Sequence, residues 1–317
     1  MSVRAAGSEP GLEIRSLAPD ACASDEWYLQ PADDHQLTSA IASAGTPVRR
    51  LEIAVKHGIA TGADDVLLVE QASHTYDGRV LVEQSSSGER FELELGALRP
   101  IVRGRDLAEY STPQPMSLCL FPYDPDARIV KEDRFQEAYP LAHEYLQAHR
   151  SRLAQRRLGK GQPWYALASS DTLKGLSRPK VMVAAINSGS GFAIDDGASL
   201  LCGKTVITLV PGAQAPNLYF LLGVLNSCIF RRFARSRMPT LGEGRREYRI
   251  GHLRDFPLAL PDSGNAAPLG KQIAACAREL HTGELASQRA AELRQTIDQK
   301  VAQLYGIPEH FRCLLTS

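Results

Sequence analysis

Between Arg231 and Arg249 the chain carries seven arginines, Arg231, Arg232, Arg235, Arg237, Arg245, Arg246 and Arg249, against Glu243 and Glu247, a local net charge of +5. The chain as a whole is neutral, with 36 basic and 36 acidic side chains. A guanidinium is permanently charged and offers phosphate a planar fork of donors, so a positive pole beside the Gly242-Glu243-Gly244 loop suits the binding of a polyanion. It also suits a solvated basic helix end, and spacing does not separate the two readings. Two smaller basic groups share this ambiguity. Arg103 and Arg105 flank Gly104 and precede Asp106, where a structural ion pair competes with a phosphate contact. Arg150, Arg152, Arg156, Arg157 and Lys160 complement a helix C-terminus as well as they would a phosphate.

Other chemistry lacks its residues. The eight histidines are dispersed, and the six cysteines form no CxxC pair and have no histidine at metal-ligand spacing. No catalytic residue and no metal ligand is therefore assigned, and several cysteines, such as Cys119 between Leu118 and Leu120, read as core thiols. The acidic pairs Asp33-Asp34, Asp64-Asp65 and Asp195-Asp196 are not accompanied by the Glu-x-Lys arrangement of a restriction nuclease. Gly58 and Gly62 lack the lysine and hydroxyl of a phosphate-binding loop. Ser188-Gly189-Ser190-Gly191 reads as a turn between strands.

The elements that must position the arginines follow from periodicity. Leu218, Leu221, Leu222, Leu225 and Ile229 recur at helical spacing after Asn217, which predicts a helix buried on that face and turning basic at Arg231. Pro239 ends it. Upstream, a helix is expected from Asp34 to Ala44, and Gly58 to Val69 reads as a tight turn feeding a strand. Alternating runs from Val66 to Leu95, with turns at Tyr76-Asp77-Gly78 and Ser85 to Gly88, predict antiparallel hairpins. Steps of three and four from Glu132 to Arg157 predict one long amphipathic helix. Lys180 to Ile186 reads as a buried strand headed by Lys180, Phe192 to Thr208 as further strands, and Phe256 to Pro261 as an extended segment. The tail from Leu269 to Tyr305 is helical, its apolar stripe seeking a partner in this domain or in another subunit.

The fold class expected is α+β: a mixed, largely antiparallel, β-rich domain with interspersed helices and a C-terminal helix. The division expected is a flexible leader over residues 1–25, a main domain over 26–268 and a helical segment over 269–317. Hydrophobic and charged contents of 44% and 23% are those of a globular protein, and no apolar run reaches bilayer length. The N-terminus lacks the apolar core of a signal peptide, so a cytoplasmic location is expected.

Taken in order, these pieces resemble the TaqI-like C-terminal specificity domain of certain adenine-N6 DNA methyltransferases and fused restriction-modification enzymes. Gly58 to Val69 is similar to that family's glycine-threonine-glycine turn and strand, and Arg99 to Asp106 to its arginine-glycine-arginine-aspartate segment. Tyr139-Pro140, Tyr145-Leu146, His149-Arg150, Leu153 and Arg156 resemble its tyrosine-leucine and arginine helix. Trp164-Tyr165, Pro179-Lys180-Val181, Leu225-Asn226-Ser227, Phe256-Pro257-Leu258 and Val301 to Ile307 continue the pattern, which runs from about Trp27 to Phe311.

The resemblance implies a target-recognition domain that binds double-stranded DNA and serves a separate methyltransferase or restriction subunit in a modification or phage-defence system. An upstream domain in that family binds S-adenosylmethionine and carries an Asn-Pro-Pro-Tyr type motif. Neither is found in this sequence, so no cofactor is assigned to the chain and S-adenosylmethionine is expected on a partner. The DNA-binding candidates are Arg103, Arg105, Arg150, Arg156, Arg157, Lys160, Lys180 and the seven arginines from Arg231 to Arg249, with Arg245 and Arg246 chosen as base readers. Two alternatives stay open: a docking subunit with no base readout, and a cryptic methyltransferase.

Overall fold

A computed structural model describes residues 32–73, 77–169, 178–187, 191–261 and 266–308, together with Leu173 and Gly189. The proposed leader, Tyr76 of the Tyr76-Asp77-Gly78 turn, and Ser188 and Ser190 lie outside the described residues. The chain divides into two compact units that interleave in sequence: one takes residues 52–218 and 241–250, the other the remainder.

The larger unit is built on two sheets, largely antiparallel, as the period-two runs require. Strands β2 (Ile53–His57), β8 (Lys180–Ala184), β10 (Ala193–Asp195) and β12 (Val206–Pro211) form a four-stranded sheet in the order β10-β8-β12-β2. β12 lies between β2 and β8 and is apolar and buried along nearly its whole length, whereas edge strand β2 buries Ile53 and Val55 and turns Ala54 and Lys56 outward.

The second sheet contains β3 (Leu68–Gln71), β4 (Arg79–Glu83), β5 (Arg90–Glu94), β6 (Leu98–Val102), β7 (Ser117–Leu120) and β11 (Leu201–Cys202), in the order β11-β6-β7-β3-β4-β5. Only the β11–β6 pair among these is parallel. β3, β4 and β5 are the expected hairpins, with Val80, Val82 and Leu93 facing inward. One apolar core joins the two sheets, running from Val69, Val82 and Ile101 to Met182, Ala193 and Val206.

Two expectations change here. The long helix is three, α3 (Glu132–Ala138), α4 (Pro140–Ala148) and α5 (Arg150–Ala154). Pro140 is the cause of the first break: it has no N–H to continue α3 and instead opens α4, and it pushes Tyr139 out of helical geometry, to φ −139° and ψ 68°. The turn from Gly58 also does not feed its strand directly, because a helical turn, α2 (Asp64–Leu67), precedes β3.

The smaller unit is helical. It comprises α1 (Ala32–Ala44), α6 (Leu218–Leu225), α7 (Cys228–Arg237), α8 (Ile250–Asp255), α9 (Ala266–Thr282), α10 (Ser287–Leu304) and the two-stranded pair β1 (Thr46–Pro47) with β14 (Pro257–Leu258). The basic helix predicted after Asn217 is thus two helices, α6 and α7. Asn226 and Ser227 separate them, and Ser227 Oγ accepts from the Phe230 N–H as the N-cap of α7.

Leu221, Leu222 and Leu225 are buried as predicted, together with Phe220 and Val224, while Leu218 is half-buried. The α6 helix is therefore apolar on nearly all sides. Its Gly223 lets α9 come close, since a Cβ there would lie 2.7 Å from Ile273 Cγ2. The tail is a hairpin of α9 and α10, with Ile273, Ala277, Leu293, Ile297 and Val301 buried, so its stripe finds partners within the unit. Tyr305 ties the end of α10 to β14: its hydroxyl donates to Pro257 O at 2.7 Å and accepts from Ala259 N at 3.3 Å.

Candidate nucleic-acid interface

Within the larger unit, five segments distant in sequence converge on one cleft of about 750 Å³, the stretch Ala184 to Ile186 and four that carry most of its polar side chains. The first of these four is the end of β2, which contributes His57; the second is the turn after β6, which contributes Arg103 and Arg105; the third is the turn before β12, with Lys204 and Thr205. The fourth is the stretch Glu247 to Ile250, which brings Tyr248 and Arg249. A neighbouring hollow of about 410 Å³ shares Arg103, Lys204 and Thr205 and adds Asp64, Asp65 and Ser85. The folding reason is local. Asp106 accepts the Arg103 N–H at 2.7 Å and closes a short 3-10 turn, while Gly104 N donates to Thr205 Oγ1 at 3.1 Å. Arg103 and Arg105 are thereby held beside Lys204.

A carboxylate sits behind these cations. Glu70, on β3, meets Arg103 at 3.4 Å and Arg105 at 3.1 Å, and Ser117 Oγ lies 2.9 Å from both of its oxygens because β3 and β7 pair Glu70 with Ser117. Arg105 stays 64% exposed and Arg103 26%. Arg103 Nε is buried and makes no hydrogen bond, which leaves a donor facing the cost of desolvation, about 1–3 kcal/mol for such a group. Lys204 pairs with Asp64 at 3.1 Å. Burial raises the Asp64 carboxyl, but hydrogen bonds from Thr61 and Lys204 and the charges of Lys204 and Arg103 outweigh it and hold the group below its ordinary value.

The loop after Pro239 is a tight turn rather than a flexible strap. Gly242, Glu243 and Gly244 all take positive φ (83°, 50° and 74°), a run that glycine tolerates at two of its three positions. Leu241 N donates to Arg245 O, and Arg245 N to Gly242 O, both at 2.9 Å. Arg246 and Glu247 then form β13, which pairs antiparallel with β9 (Ile186–Asn187). Tyr248 N donates to Ala185 O at 2.7 Å and its ring lies 6.2 Å from that of Phe192, which fixes this two-stranded ribbon to the sheet. Arg245 is exposed beside Glu243 at 3.4 Å, and Arg249 pairs with Glu247 at 2.5 Å.

The remaining candidates differ in use. Lys180 is corrected: its side chain is 0% exposed and its ammonium donates to Asp195, itself 1% exposed, so it cannot meet DNA without unfolding β8. Arg156 holds protein rather than solvent. Its guanidinium donates to Thr61 O at 2.6 Å, Trp164 O at 2.5 Å and Leu153 O at 2.9 Å, and it covers Gly62, whose φ is +73°. Arg150 lies over Trp164 at 4.9 Å, whereas Arg157 and Lys160 are exposed.

On α7, Arg231 donates to Asn226 O at 2.7 Å and pairs with Asp298 of α10 at 3.1 Å, a contact inside the helical unit. Arg235 is exposed, and Arg232 and Arg237 are half-buried. Of the candidates, Arg103, Arg105 and Arg249 line this one cleft, beside Lys204 and His57, which are isolated in the sequence and were not among them.

Among the described residues no group of three or more His, Cys, Asp or Glu is arranged to hold a metal, and no helix is long and apolar enough to cross a membrane. The molecule is thus an α+β protein whose β-rich unit displays a cationic cleft. The chain belongs to the family of TaqI-like C-terminal specificity domains, whose model matches residues 99–258. A solved structure, that of the type IIG restriction endonuclease BpuSI, is similar over 87% of this chain and 33% of its own, with 13% identity and a TM-score of 0.47. The chain spans about a third of the length of that enzyme.

Proposed function

We propose that this chain recognises double-stranded DNA, by its sequence, on behalf of a restriction-modification system. A separate adenine-N6 methyltransferase would supply S-adenosylmethionine and the chemistry. The observation that carries the reading is the cleft of the β-rich unit. Arg103, Arg105, Lys204 and Arg249 come to it from three separate segments, and guanidinium and ammonium groups gathered in this way suit the grip of a phosphate backbone. Membership of a family of specificity domains supports the same reading.

Fluorescence anisotropy with a labelled duplex, repeated over a salt series, tests it. If four cleft cations each meet one phosphate, log Kd against log salt has a slope of roughly 3 to 4, because each contact releases most of one condensed counterion. Absence of duplex binding at low salt would sink the proposal and favour a protein-docking role. Incubation of the purified chain with labelled S-adenosylmethionine and DNA is expected to leave the DNA unlabelled, and transfer of label would establish the chain as a methyltransferase in its own right.

A further inference from the structure

Ile186 is the anomaly in the cleft. It leaves 55% of its surface in water, in a cleft that also displays Arg103, Arg105, Lys204 and Arg249, where a polar side chain would be better hydrated. Its position is set by backbone and not by loose packing. Ala185 N donates to Thr205 O at 2.8 Å, Ala185 O accepts from Tyr248 N, and β9 then pairs Ile186 with Glu247 and Asn187 with Arg246. Strand alternation sends Asn187 inward, where it is 4% exposed, and Ile186 outward. The β9–β13 ribbon therefore carries an isoleucine on one strand and Arg246 with Glu247 on the other.

We infer that Ile186 is a specificity residue that reads the C5-methyl group of a thymine in the major groove, a role that rests on the DNA-recognition reading above. Three physical points support it. A two-stranded ribbon, with strands about 4.8 Å apart, fits a major groove about 12 Å wide. Thymine alone among the bases presents an apolar group in that groove, so a branched aliphatic side chain distinguishes it from cytosine without any hydrogen bond. The surrounding cations fix the ribbon to phosphate but carry no sequence information, which leaves the reading to side chains of other chemistry. A protein partner would also cover an exposed isoleucine, but a rim of arginine and lysine favours a polyanion.

The test selects bound duplexes from a random-sequence library with the full chain, then measures affinity for the recovered site. The wild type is expected to require thymine at one position and to bind about fourfold more weakly when that base alone is replaced by uracil, the change that goes with one buried methyl group, about 0.8 kcal/mol. Ile186→Ala is expected to bind the thymine and uracil duplexes equally with the salt slope unchanged, while Ile186→Val keeps the discrimination. The inference is overturned if no position requires thymine, if the wild type ignores the uracil exchange, or if Ile186→Ala discriminates as well as the wild type. Failure of the wild type to retain any duplex would instead overturn the DNA-recognition reading itself, and this inference with it.

Discussion

Lys180 meets Asp195 at a place closed to water, with the two side chains 0% and 1% exposed, whereas Lys204 meets Asp64 on the rim of the cleft at 62% and 43%. The chemistry of the two pairs is the same. The surroundings decide their use. Asp195 also accepts from Leu200 N at 3.0 Å and Ser199 N at 3.2 Å, so both of its oxygens are engaged and the pair anchors β8 to the turn after β10. Water and salt compete freely for Lys204, and phosphate can displace Asp64 at small cost. A basic residue near a proposed interface is therefore informative only once its carboxylate partner and their shared exposure are known.

The contrast is most easily broken at the buried pair. Asp195→Ala leaves an ammonium without a counter-charge in the core, and it is expected to lower unfolding free energy by about 3–5 kcal/mol, read from the urea midpoint. The double change Lys180→Met with Asp195→Leu is expected to recover most of that loss, because two apolar side chains avoid the desolvation that the charges incur. If the single variant is as stable as the wild type, the pair does not anchor β8.

The next effect concerns the turn and ribbon. Arg245→Ala with Arg246→Ala is expected to cost ~1–3 kcal/mol at one base pair of the recognised site and to leave the other positions unchanged. A uniform loss over all sequences, with a salt slope lower by roughly one for each phosphate no longer gripped, would assign both arginines to the DNA backbone instead.

A smaller change, of opposite sign, is expected at Glu70. Glu70→Gln removes the carboxylate that holds Arg103 and Arg105, so duplex affinity should rise a few-fold at low salt and the salt slope should steepen by up to about one. Unchanged affinity and slope would mean that these arginines stay structural in the complex.

The smallest effect is at the exposed pair. The Asp64 carboxyl is held below its ordinary value of 3.8, so its contribution is fully present above that pH and is lost as pH falls through the lower folded value. Asp64→Asn should abolish that part of the acid sensitivity below about pH 4 and change stability little at neutral pH, where an exposed pair contributes at most about 1 kcal/mol. A thermal-melting series over pH 2 to about 7 on both proteins checks it.

Much of the fold was legible because its signals are local. Val80, Val82 and Leu93 alternate with outward residues, so hairpins follow from period two, while the short, continuous apolar run up to Ala184 reads as a buried strand. Pro140 was readable as a helix boundary, but the periodic stripe on both sides of it argued for continuity. The buried state of Lys180 was not legible, since its counter-charge arrives from another strand and an isolated lysine at a strand end resembles one that reaches for solvent. The cleft was half visible. Arginines cluster in sequence and announce themselves, while Lys204 and His57 are single residues that only the pairing of β2 with β12, and of Ile59 with Gly203, brings alongside Arg103.

The route of the chain has a consequence for its synthesis. The β-rich unit takes residues 52–218, the chain then builds α6 and α7 of the helical unit, and only with residues 241–250 does it return to supply Tyr248, Arg249 and the second strand of the ribbon. A ribosome that has delivered the whole of both sheets has still not delivered the wall that would read bases. A nascent chain ending near residue 218 thus contains every strand of both sheets, with Arg103 and Arg105, but not the wall proposed to read bases. Of the segments that make up the β-rich unit, the wall proposed to read bases is the last to be synthesised, and it joins the unit by a long-range contact of the kind that closes slowly.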